Sequence, residues 1–219
     1  MFDVITIGTA TRDVFITSPL FKVLKDPAHL KKIGFKTGEA ECFALGSKIE
    51  IERPVFTTGG GAANAAVTFS RQGLKTAALV KVGADDAGGA IIQNLKEEKI
   101  KTIIAGDEKY GTAYSTILLT PEGERTILVY RGASGEFKKN EIPLRKLRTR
   151  WFYISPGTIP IAFMEAVIGH LKSKGAMIAM NPSKYYLEGG VKRLKTILQK
   201  LDAVIVNREE AAYLTGVDY

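Results

Sequence analysis

The residues with the clearest potential for chemistry lie between Thr57 and Ala66, where the chain reads TTGGGAANAA. Glycine has no Cβ, so the three successive glycines let a ligand or another backbone segment approach closely. Small residues then open a predicted helix, whose first N–H groups have no partner inside the helix. Asn64 adds an amide that both donates and accepts, about one turn into that helix. The run fits either a site for a ligand with many hydroxyl groups or a tight strand-to-helix turn without a ligand.

Alternating strands and helices position this run. Short apolar runs that predict buried strands occur at residues 4–8, 76–82, 151–154, 177–180 and 203–206. Segments with the helical spacing of apolar residues occur at residues 62–71, 87–98, 161–174, 191–201 and 209–214. This alternation predicts an α/β fold with a mostly parallel sheet covered by helices on both faces. Ligands of such sheets bind beyond the carboxyl ends of the strands. The residues that end or follow the apolar runs are Gly8, Gly83, Ser155, Asn181 and Asn207.

Other regions interrupt this alternation and predict a small, separate β-sheet. A β-hairpin is expected at residues 113–130, around the turn sequence Pro-Glu-Gly-Glu at 121–124. Residues 47–52 alternate polar and apolar side chains, as a strand with one wet face does, and residues 14–17 are a further candidate strand. We expect these strands to form a β lid. The predicted lid segments are about 14–56 and 111–131.

Composition places the chain among ordinary globular proteins. Its 219 residues are 45% hydrophobic and 25% charged, which is enough apolar content to bury a core. No apolar run approaches the roughly 18 residues that span a membrane. Charged side chains interrupt residues 1–20, so we expect neither a signal peptide nor a membrane partner. Cys42 is the only cysteine, which excludes an internal disulfide and favours a reducing, cytoplasmic setting.

The net charge of +8 comes from 31 basic and 23 acidic residues. Basic residues cluster at 138–139, 145–150 and 192–200, and nucleic acid is one partner that such clusters attract. The alternative is solvated helix faces that also attract anionic ligands such as nucleotides. We prefer this second interpretation and expect no nucleic-acid partner. The clusters lack interleaved aromatic residues, and no nucleic-acid-binding motif accompanies them.

Five short motifs follow one another along nearly the whole chain. They are Gly8-Thr9-Ala10-Thr11-Arg12-Asp13, the run from Gly59 to Ala66, Gly83-Ala84-Asp85-Asp86-Ala87-Gly88, Gly123-Glu124-Arg125-Thr126 with Arg131-Gly132-Ala133, and Asn207-Arg208-Glu209-Glu210. In type and order these motifs resemble those of the ribokinase-like (phosphofructokinase-B type) family of sugar and nucleoside kinases. The resemblance implies that residues 1–219 are the N-terminal portion of a ribokinase-like α/β domain with a β lid. It also implies ATP-dependent phosphorylation of a hydroxyl group on a sugar or nucleoside.

The resemblance assigns the acceptor site to Asp13, Gly60, Gly61 and Asn64, with Thr11 as a further contact. Asp13 and Asn64 would hydrogen-bond the acceptor hydroxyls, and the two glycines would give close access to the backbone. A carboxylate that accepts from two neighbouring hydroxyls makes a strong, orienting contact. The alternatives are a surface or turn carboxylate for Asp13 and a backbone-capping hydroxyl for Thr11. Which sugar or nucleoside binds does not follow from the sequence.

The resemblance also places Asn207 and Glu210 near the phosphate and magnesium region. ATP and Mg²⁺ would be the cofactors of the complete enzyme, with Glu210 on the metal side. The alternative for Asn207 is a helix cap, because Asn is favoured at helix starts. Asp85 and Asp86 are interpreted as caps of the helix that follows them.

Members of this family carry a later Gly-Ala-Gly-Asp motif, whose Asp deprotonates the acceptor hydroxyl and whose glycines form an anion hole. These 219 residues contain no such sequence, and no catalytic residue is assigned. Phosphoryl transfer depends on positioning and charge stabilisation around the phosphate. We therefore expect a truncated kinase domain that carries the acceptor half and is inactive alone. Two other functions stay open: a non-catalytic sugar- or nucleoside-binding domain, and a module whose lid sheet forms a homodimer.

Overall fold

The computed structural model describes residues 1–138, 141–144 and 147–217. The chain divides into two compact units. The first unit comprises Met1–Arg12, Thr58–Ala113 and Arg131–Tyr219, and the second comprises Asp13–Thr57 and Tyr114–Tyr130. Of the basic clusters predicted from the sequence, Lys139, Arg145 and Lys146 lie outside the described residues.

Strands and helices alternate through most of the chain. In chain order the strands are β1 (Phe2–Gly8), β2 (Thr11–Thr17), β3 (Lys22–Lys25), β4 (Glu39–Cys42), β5 (Val55–Gly59), β6 (Thr76–Gly83), β7 (Lys101–Asp107), β8 (Tyr114–Leu119), β9 (Arg125–Tyr130), β10 (Thr149–Ser155), β11 (Met177–Met180) and β12 (Ala203–Val204). The helices are α1 (Pro27–Leu30), α2 (Gly61–Arg71), α3 (Asp86–Glu97), α4 (Ile161–Ser173), α5 (Lys184–Leu187), α6 (Gly190–Leu198) and α7 (Arg208–Thr215), with 3₁₀ turns at Lys31–Ile33 and Gly132–Gly135. Among the described residues, no helix has the length and apolar character needed to cross a bilayer.

The first unit is built on a six-stranded sheet in the order β12-β11-β10-β1-β6-β7. Its neighbouring strands all run parallel. β6 is buried along its whole length, as its continuous apolar run predicts for a strand covered on both faces. The prediction of a mostly parallel sheet between helices is confirmed.

Side chains that alternate along β6 build cores on opposite faces of this sheet. Ala78 and Val80 belong to a core with α2 and α3. Ala77 and Leu79 belong to a larger core with α4 and α6. Helices therefore cover both faces of the central strands, and the carboxyl edge of the sheet is left for the loops that carry the motifs.

β7 is a strand that the sequence analysis did not predict. It forms one edge of the sheet and pairs only with β6 among the described residues. Only residues 104–107 of its run KTIIAGD alternate between exposed and buried, and Ile104 is 39% exposed. A strand at the edge of a sheet needs fewer apolar residues than a central strand, so the sequence pattern that predicts this strand is weak.

The second unit contains a four-stranded sheet in the order β5-β2-β8-β9 and a two-stranded sheet of β3 and β4. The first residues of β2 and the last residues of β5 are assigned to the first unit. β8 and β9 form the predicted antiparallel hairpin, with Ile117 opposite Ile127. The assignment of this unit as a lid stays a prediction.

The predicted strand at residues 47–52 is wrong, because these residues form no strand. β5 lies beside β2 instead. Ile51 is exposed, so the alternating pattern has no buried face to stabilise it. The segment is held by irregular hydrogen bonds: Glu52 N–H donates to the carbonyl of Thr17 at 2.9 Å, and the hydroxyl of Ser18 donates to the carbonyl of Glu50 at 2.6 Å.

Candidate functional site

The glycine run lies where the carboxyl end of β1 meets the amino end of α2. The N–H of Gly61 donates to Thr9 Oγ1 at 3.0 Å. The N–H groups of Ala62 and Ala63 donate to the carbonyl oxygen of Thr9 at 3.1 and 3.3 Å. Thr9 thus satisfies three donors that the first turn of a helix leaves without an internal partner. The predicted helix start is confirmed, but its N–H groups are bound to protein and do not form an open anion site.

Two of the glycines are required by close backbone packing. Gly60 has a φ of 91°, and a Cβ there would lie 2.6 Å from both Ala10 Cα and Thr9 O. A Cβ on Gly61 would lie 2.8 Å from Ser155 Cβ and closer still to its hydroxyl oxygen. Ser155 ends β10, and its carbonyl accepts the N–H of Thr9 at 3.2 Å. The glycines let α2 begin directly against the ends of β1 and β10.

Asn64 lies in the first turn of α2 with an exposed side chain. Its N–H donates to the Gly60 carbonyl at 2.9 Å, and its carbonyl accepts from the Thr68 hydroxyl at 3.0 Å. The backbone of Asn64 is therefore used within the helix, while its amide side chain reaches solvent. The structure brings Gly60, Gly61 and Asn64 together at the carboxyl edge of the sheet.

Thr11 and Asp13 lie two residues apart on β2, so their side chains leave the same face of that strand. Both residues are half-buried. Thr11 falls in the first unit and Asp13 in the second. Their predicted contact with an acceptor hydroxyl stays a prediction.

The second glycine motif, from Gly83 to Gly88, is built around Thr112. Asp85 caps α3 by accepting the N–H of Gly88 at 2.8 Å, and its other oxygen accepts the N–H of Thr112 at 2.8 Å. The Thr112 hydroxyl donates to Asp85 and accepts the N–H of Gly83 at 2.9 Å. Burial opposes ionisation here, but the hydrogen bonds from Thr112 and Gly88 lower the pKa of Asp85. The predicted capping role of Asp85 is confirmed, whereas Asp86 is the first residue of the helix itself.

A buried ion cluster lies near the same edge, around Lys81 of β6. The Lys81 side chain is 0% exposed. Its ammonium contacts Asp107 Oδ2 at 2.7 Å and both carboxylate oxygens of Glu141 at 2.9 Å, and it donates to the carbonyl of Glu136 at 2.6 Å. The cluster ties Glu136, Glu141 and the end of β7 to the central sheet.

The charges of this cluster stabilise one another. Hydrogen bonding from Lys81 holds the pKa of Asp107 well below its usual range. Burial opposes ionisation of Lys81, but its hydrogen bonds to Asp107 and Glu141 raise the pKa of Lys81. Burial also opposes ionisation of Glu141, but hydrogen bonds from Lys81 and from the N–H of Lys138 lower the pKa of Glu141. Sequence analysis missed this cluster. The available signal was a lysine inside an apolar run, since a fully buried lysine must be paired.

Asn207 and Glu210 form the capping box that begins α7. Asn207 Oδ1 accepts the N–H of Glu210 at 2.8 Å, and Glu210 Oε2 accepts the N–H of Asn207 at 2.9 Å. The box uses one carboxylate oxygen of Glu210 and leaves the amide nitrogen of Asn207 outside it. Among the described residues, no group of three or more acidic, His or Cys side chains could hold a metal. Mg²⁺ usually keeps several waters and binds nucleotide phosphates, so Glu210 fits a contact through water better than a protein cage.

The sequence model of the pfkB family carbohydrate kinases matches residues 28–218, which is most of the chain. The chain belongs to the pfkB family. The ribokinase of Staphylococcus aureus (strain COL) is 26% identical in an alignment of 179 positions that covers 78% of this chain and 56% of the relative. Fructokinase-2 of Solanum lycopersicum is 27% identical in an alignment of 172 positions that covers 72% of this chain and 52% of the relative. This pfkB-family chain thus spans about half the length of the curated relatives it matches.

Solved structures share the fold of this pfkB-family chain. A ribokinase from Giardia lamblia superposes with a TM-score of 0.74 at 20% identity, covering 100% of this chain and 62% of that one. An adenosine kinase from Sinorhizobium meliloti superposes with a TM-score of 0.71 at 19% identity, covering 100% of this chain and 68% of that one. The predicted ribokinase-like fold is confirmed.

Proposed function

We propose that this chain forms the acceptor-binding part of an ATP-dependent kinase that phosphorylates a hydroxyl group of a sugar or nucleoside. Membership of the pfkB family supports kinase chemistry. Relatives are named ribokinase and fructokinase, and a structural neighbour is an adenosine kinase. We favour a sugar acceptor, because both of these curated relatives are named for sugars. The single cysteine supports a reducing, cytoplasmic setting.

The observation that carries this proposal is the edge where β1, β10 and α2 meet. Ligands of parallel α/β sheets bind at this edge. Gly60 and Gly61 bring the start of α2 against Thr9 and Ser155, and Asn64 is an exposed residue in the first turn of that helix. An amide at such a position can accept from one hydroxyl and donate to another.

Asp13 and Thr11 would complete the acceptor site in this proposal. The Asp13 carboxylate would accept from two neighbouring hydroxyls, and a charged acceptor makes the strongest of these hydrogen bonds. Thr11 would add a hydroxyl from the same face of β2. The combination suits a molecule with adjacent hydroxyl groups, as sugars and ribonucleosides have.

ATP with Mg²⁺ would be the phosphate donor of the complete kinase. The amide nitrogen of Asn207 would donate to the phosphates. Glu210 would bind a water ligand of the metal through the carboxylate oxygen that the capping box does not use. Bound Mg²⁺ would neutralise the charge on the transferred phosphoryl group. We assign no general base within these 219 residues, and one positioned base contributes about 10²–10⁴-fold. The chain alone is therefore proposed to be inactive.

A second candidate function is homodimerisation through the second unit. β9 has a neighbouring strand on one side only within the described part of the chain. Its residues Ile127, Leu128, Val129 and Tyr130 are 46–56% exposed. An edge strand that exposes backbone donors and acceptors beside apolar side chains is a template for pairing with a second chain. Sedimentation of the wild-type chain and of Val129→Lys tests this, with a dimer expected for the wild type only.

Kinase activity is tested with two polypeptides, the 219-residue chain and the product of the whole reading frame that contains it. Each is incubated with radiolabelled ATP, Mg²⁺ and a panel of ribose, fructose and adenosine. We expect turnover by the whole product, loss of turnover in Asp13→Ala, and normal turnover in Asp86→Ala, an exposed carboxylate at a helix start. No phosphorylation of any acceptor would overturn the proposed kinase. Sustained turnover by the 219-residue chain that Asp13→Ala abolishes would overturn the proposed inactivity.

A further inference from the structure

The amino edge of the parallel sheet carries a cavity that none of the five motifs reaches. The cavity lies where Met1 precedes β1, Thr149 begins β10 and Ala176 precedes β11. The first two glycine motifs lie at the opposite, carboxyl edge, where Gly8 and Ser155 end β1 and β10. The seven residues of β10 separate the two edges by about 20 Å, at about 3.3 Å per residue. A molecule in this cavity therefore cannot contact the glycine run.

The cavity has the size and the apolar lining of a small-molecule site. Its volume is about 760 Å³, and small-molecule sites occupy about 300–1,000 Å³. Leu147, Phe152 and Leu171 line it and belong to the larger core. Leu144 also lines it and is partly buried against that core. A ligand here would lie against apolar side chains, so part of the ligand must itself be apolar.

The permanent charges of the cavity all have one sign. Arg148 and Lys174 line it, both residues are exposed, and none of the described lining residues is acidic. Neither of these two side chains forms a hydrogen bond or an ion pair with another described residue. A guanidinium group matches the geometry of a carboxylate or a phosphate, and an ammonium group adds a second positive charge. The charges therefore favour an anion.

His170 is a further polar residue of the lining, and one of its ring nitrogens lacks a partner. The Nε2 atom is shielded from solvent and has no hydrogen-bond partner among the described residues. Buried polar atoms of folded proteins nearly always have a partner. An imidazole nitrogen can donate to a ligand or accept from it. The missing partner thus belongs to a residue of the same cavity that the two cations line.

The end of α4 lies beside the cavity, and open carbonyl groups at a helix end would repel an anion. These carbonyl groups are used within the protein. The hydroxyl of Ser173 donates to the carbonyl of His170 at 2.8 Å. The N–H groups of Lys174 and Ala176 donate to the carbonyl of Leu171 at 3.1 and 3.3 Å. The positive side chains are therefore the main charges that a ligand meets.

We propose that this cavity binds a small organic anion, namely a phosphate monoester or a carboxylate that carries an apolar group. The apolar group would pack against Phe152 and Leu171, and the anionic group would bind Arg148 and Lys174. His170 would provide a further polar contact. The distance from the carboxyl edge excludes a direct reaction between this anion and groups at that edge, so the cavity is a site separate from the proposed acceptor site.

NMR spectroscopy can observe this cavity directly, because the chain has only two histidines. His170 lines the cavity, whereas His29 lies in the second unit and is the internal control. The 219-residue chain is titrated at constant pH and ionic strength with phenyl phosphate and, separately, with phenylacetate. Inorganic phosphate tests the charge alone, and benzyl alcohol tests the apolar group alone. The imidazole C–H signals of both histidines are followed.

We expect saturable shifts of the His170 signals with phenyl phosphate or phenylacetate, and the tighter of the two identifies the anionic group. Removing both cations, in Arg148→Gln with Lys174→Gln, should weaken this binding at least about tenfold, as the loss of charged hydrogen bonds predicts. Lys192→Gln with Lys195→Gln is the matched control. It removes the same charge from exposed positions of α6 and should leave the binding unchanged.

A second pair of variants tests the charge without removing a cation. Leu144→Glu and Leu144→Gln have the same size, so a difference between them reports the negative charge alone. Leu144→Glu should weaken binding of the anion much more than Leu144→Gln does. This pair decides the question if the variant without Arg148 and Lys174 does not fold.

Three results would overturn the proposal. One is the absence of a saturable His170 shift with either organic anion. Another is an equal loss of binding in the two double variants, which would mean that only the net charge of the chain attracts the anion. The third is binding of benzyl alcohol as tight as that of phenyl phosphate and phenylacetate, which would mean that the cavity is apolar and does not select an anion.

Discussion

Replacing Gly61 by alanine is expected to destabilise the first unit through a single contact with Ser155. The added Cβ would lie 2.8 Å from Ser155 Cβ, whereas ordinary contacts are 3.4–4 Å. The Ser155 hydroxyl can rotate away, but its Cβ is fixed to the backbone. The start of α2 and the end of β10 would therefore have to separate.

The magnitude follows from two opposing effects. Overpacking costs about 1–3 kcal/mol. The upper part of that range applies here, since the two carbons are fixed to backbones and Ser155 is only 8% exposed. Alanine gains up to about 1 kcal/mol of helix propensity over glycine, and less at the first residue of a helix. We expect a net loss of about 2 kcal/mol, or roughly 4–8 °C in Tm for a chain of this size.

Urea unfolding followed by circular dichroism measures this loss. Gly89→Ala in α3 is the matched control, because a Cβ there has nothing within 4 Å, and it should stabilise by about 0.5–1 kcal/mol. In a double-mutant cycle, Ser155→Ala should restore only part of the stability that Gly61→Ala loses, since alanine removes the Oγ but keeps the Cβ. Ser155→Gly removes both clashing atoms and should rescue more, with a coupling energy of about 1–3 kcal/mol.

Two results would refute this reasoning. One is a Gly61→Ala chain that is as stable as the wild type. The other is a loss of the same size in the Ser155→Gly background, which would mean that α2 does not begin against the end of β10.

Three further predictions concern the buried charges and the acceptor site. Lys81→Met should lower the free energy of unfolding, measured by urea titration, by about 3–5 kcal/mol, because it leaves the carboxylates of Asp107 and Glu141 without their cation. Lys96→Met, on the exposed side of α3, is the control and should change this free energy little. The pKa values of Asp85, Asp107 and Glu141 are lowered in the folded chain, so the ionised carboxylates stabilise the folded state. This stabilisation is complete above about pH 4–4.5 and is lost as the pH falls through the pKa values of the folded chain. The pKa of Lys81 is raised, so its stabilisation is complete below about pH 10.4 and is lost as the pH rises further. Tm measured against pH should show a plateau between these limits, and Thr112→Val should weaken the decrease of Tm at acidic pH. A Tm that keeps rising as the pH falls below about 4 would contradict stabilisation by these ionised carboxylates. Asp13→Ala should remove about 1.5–3 kcal/mol of sugar binding in calorimetry, the range for a hydrogen bond to a charged group, and unchanged binding would remove Asp13 from the site.

Local patterns in the sequence determined much of this fold. The alternation of apolar runs and helical segments predicted the parallel sheet, because each run reports whether one strand or helix has buried faces. The hairpin around residues 121–124 and the cap at Asp85 were predicted for the same reason, since turns and caps are decided by residues close together in the chain. The order of five motifs identified the family, which the pfkB match then confirmed.

Only the tertiary structure decided what covers each surface. Residues 47–52 have the pattern of a strand, but β5 takes the place beside β2, so the pattern finds no buried face. Gly61 reads as an opening for a ligand, yet its missing Cβ is needed for a contact with Ser155 of a distant strand. Lys81 lies in an apolar run, and its partners Asp107 and Glu141 come from other segments. Sequence patterns report that a side chain is buried or exposed, whereas its neighbours depend on long-range packing, which local spacing does not encode.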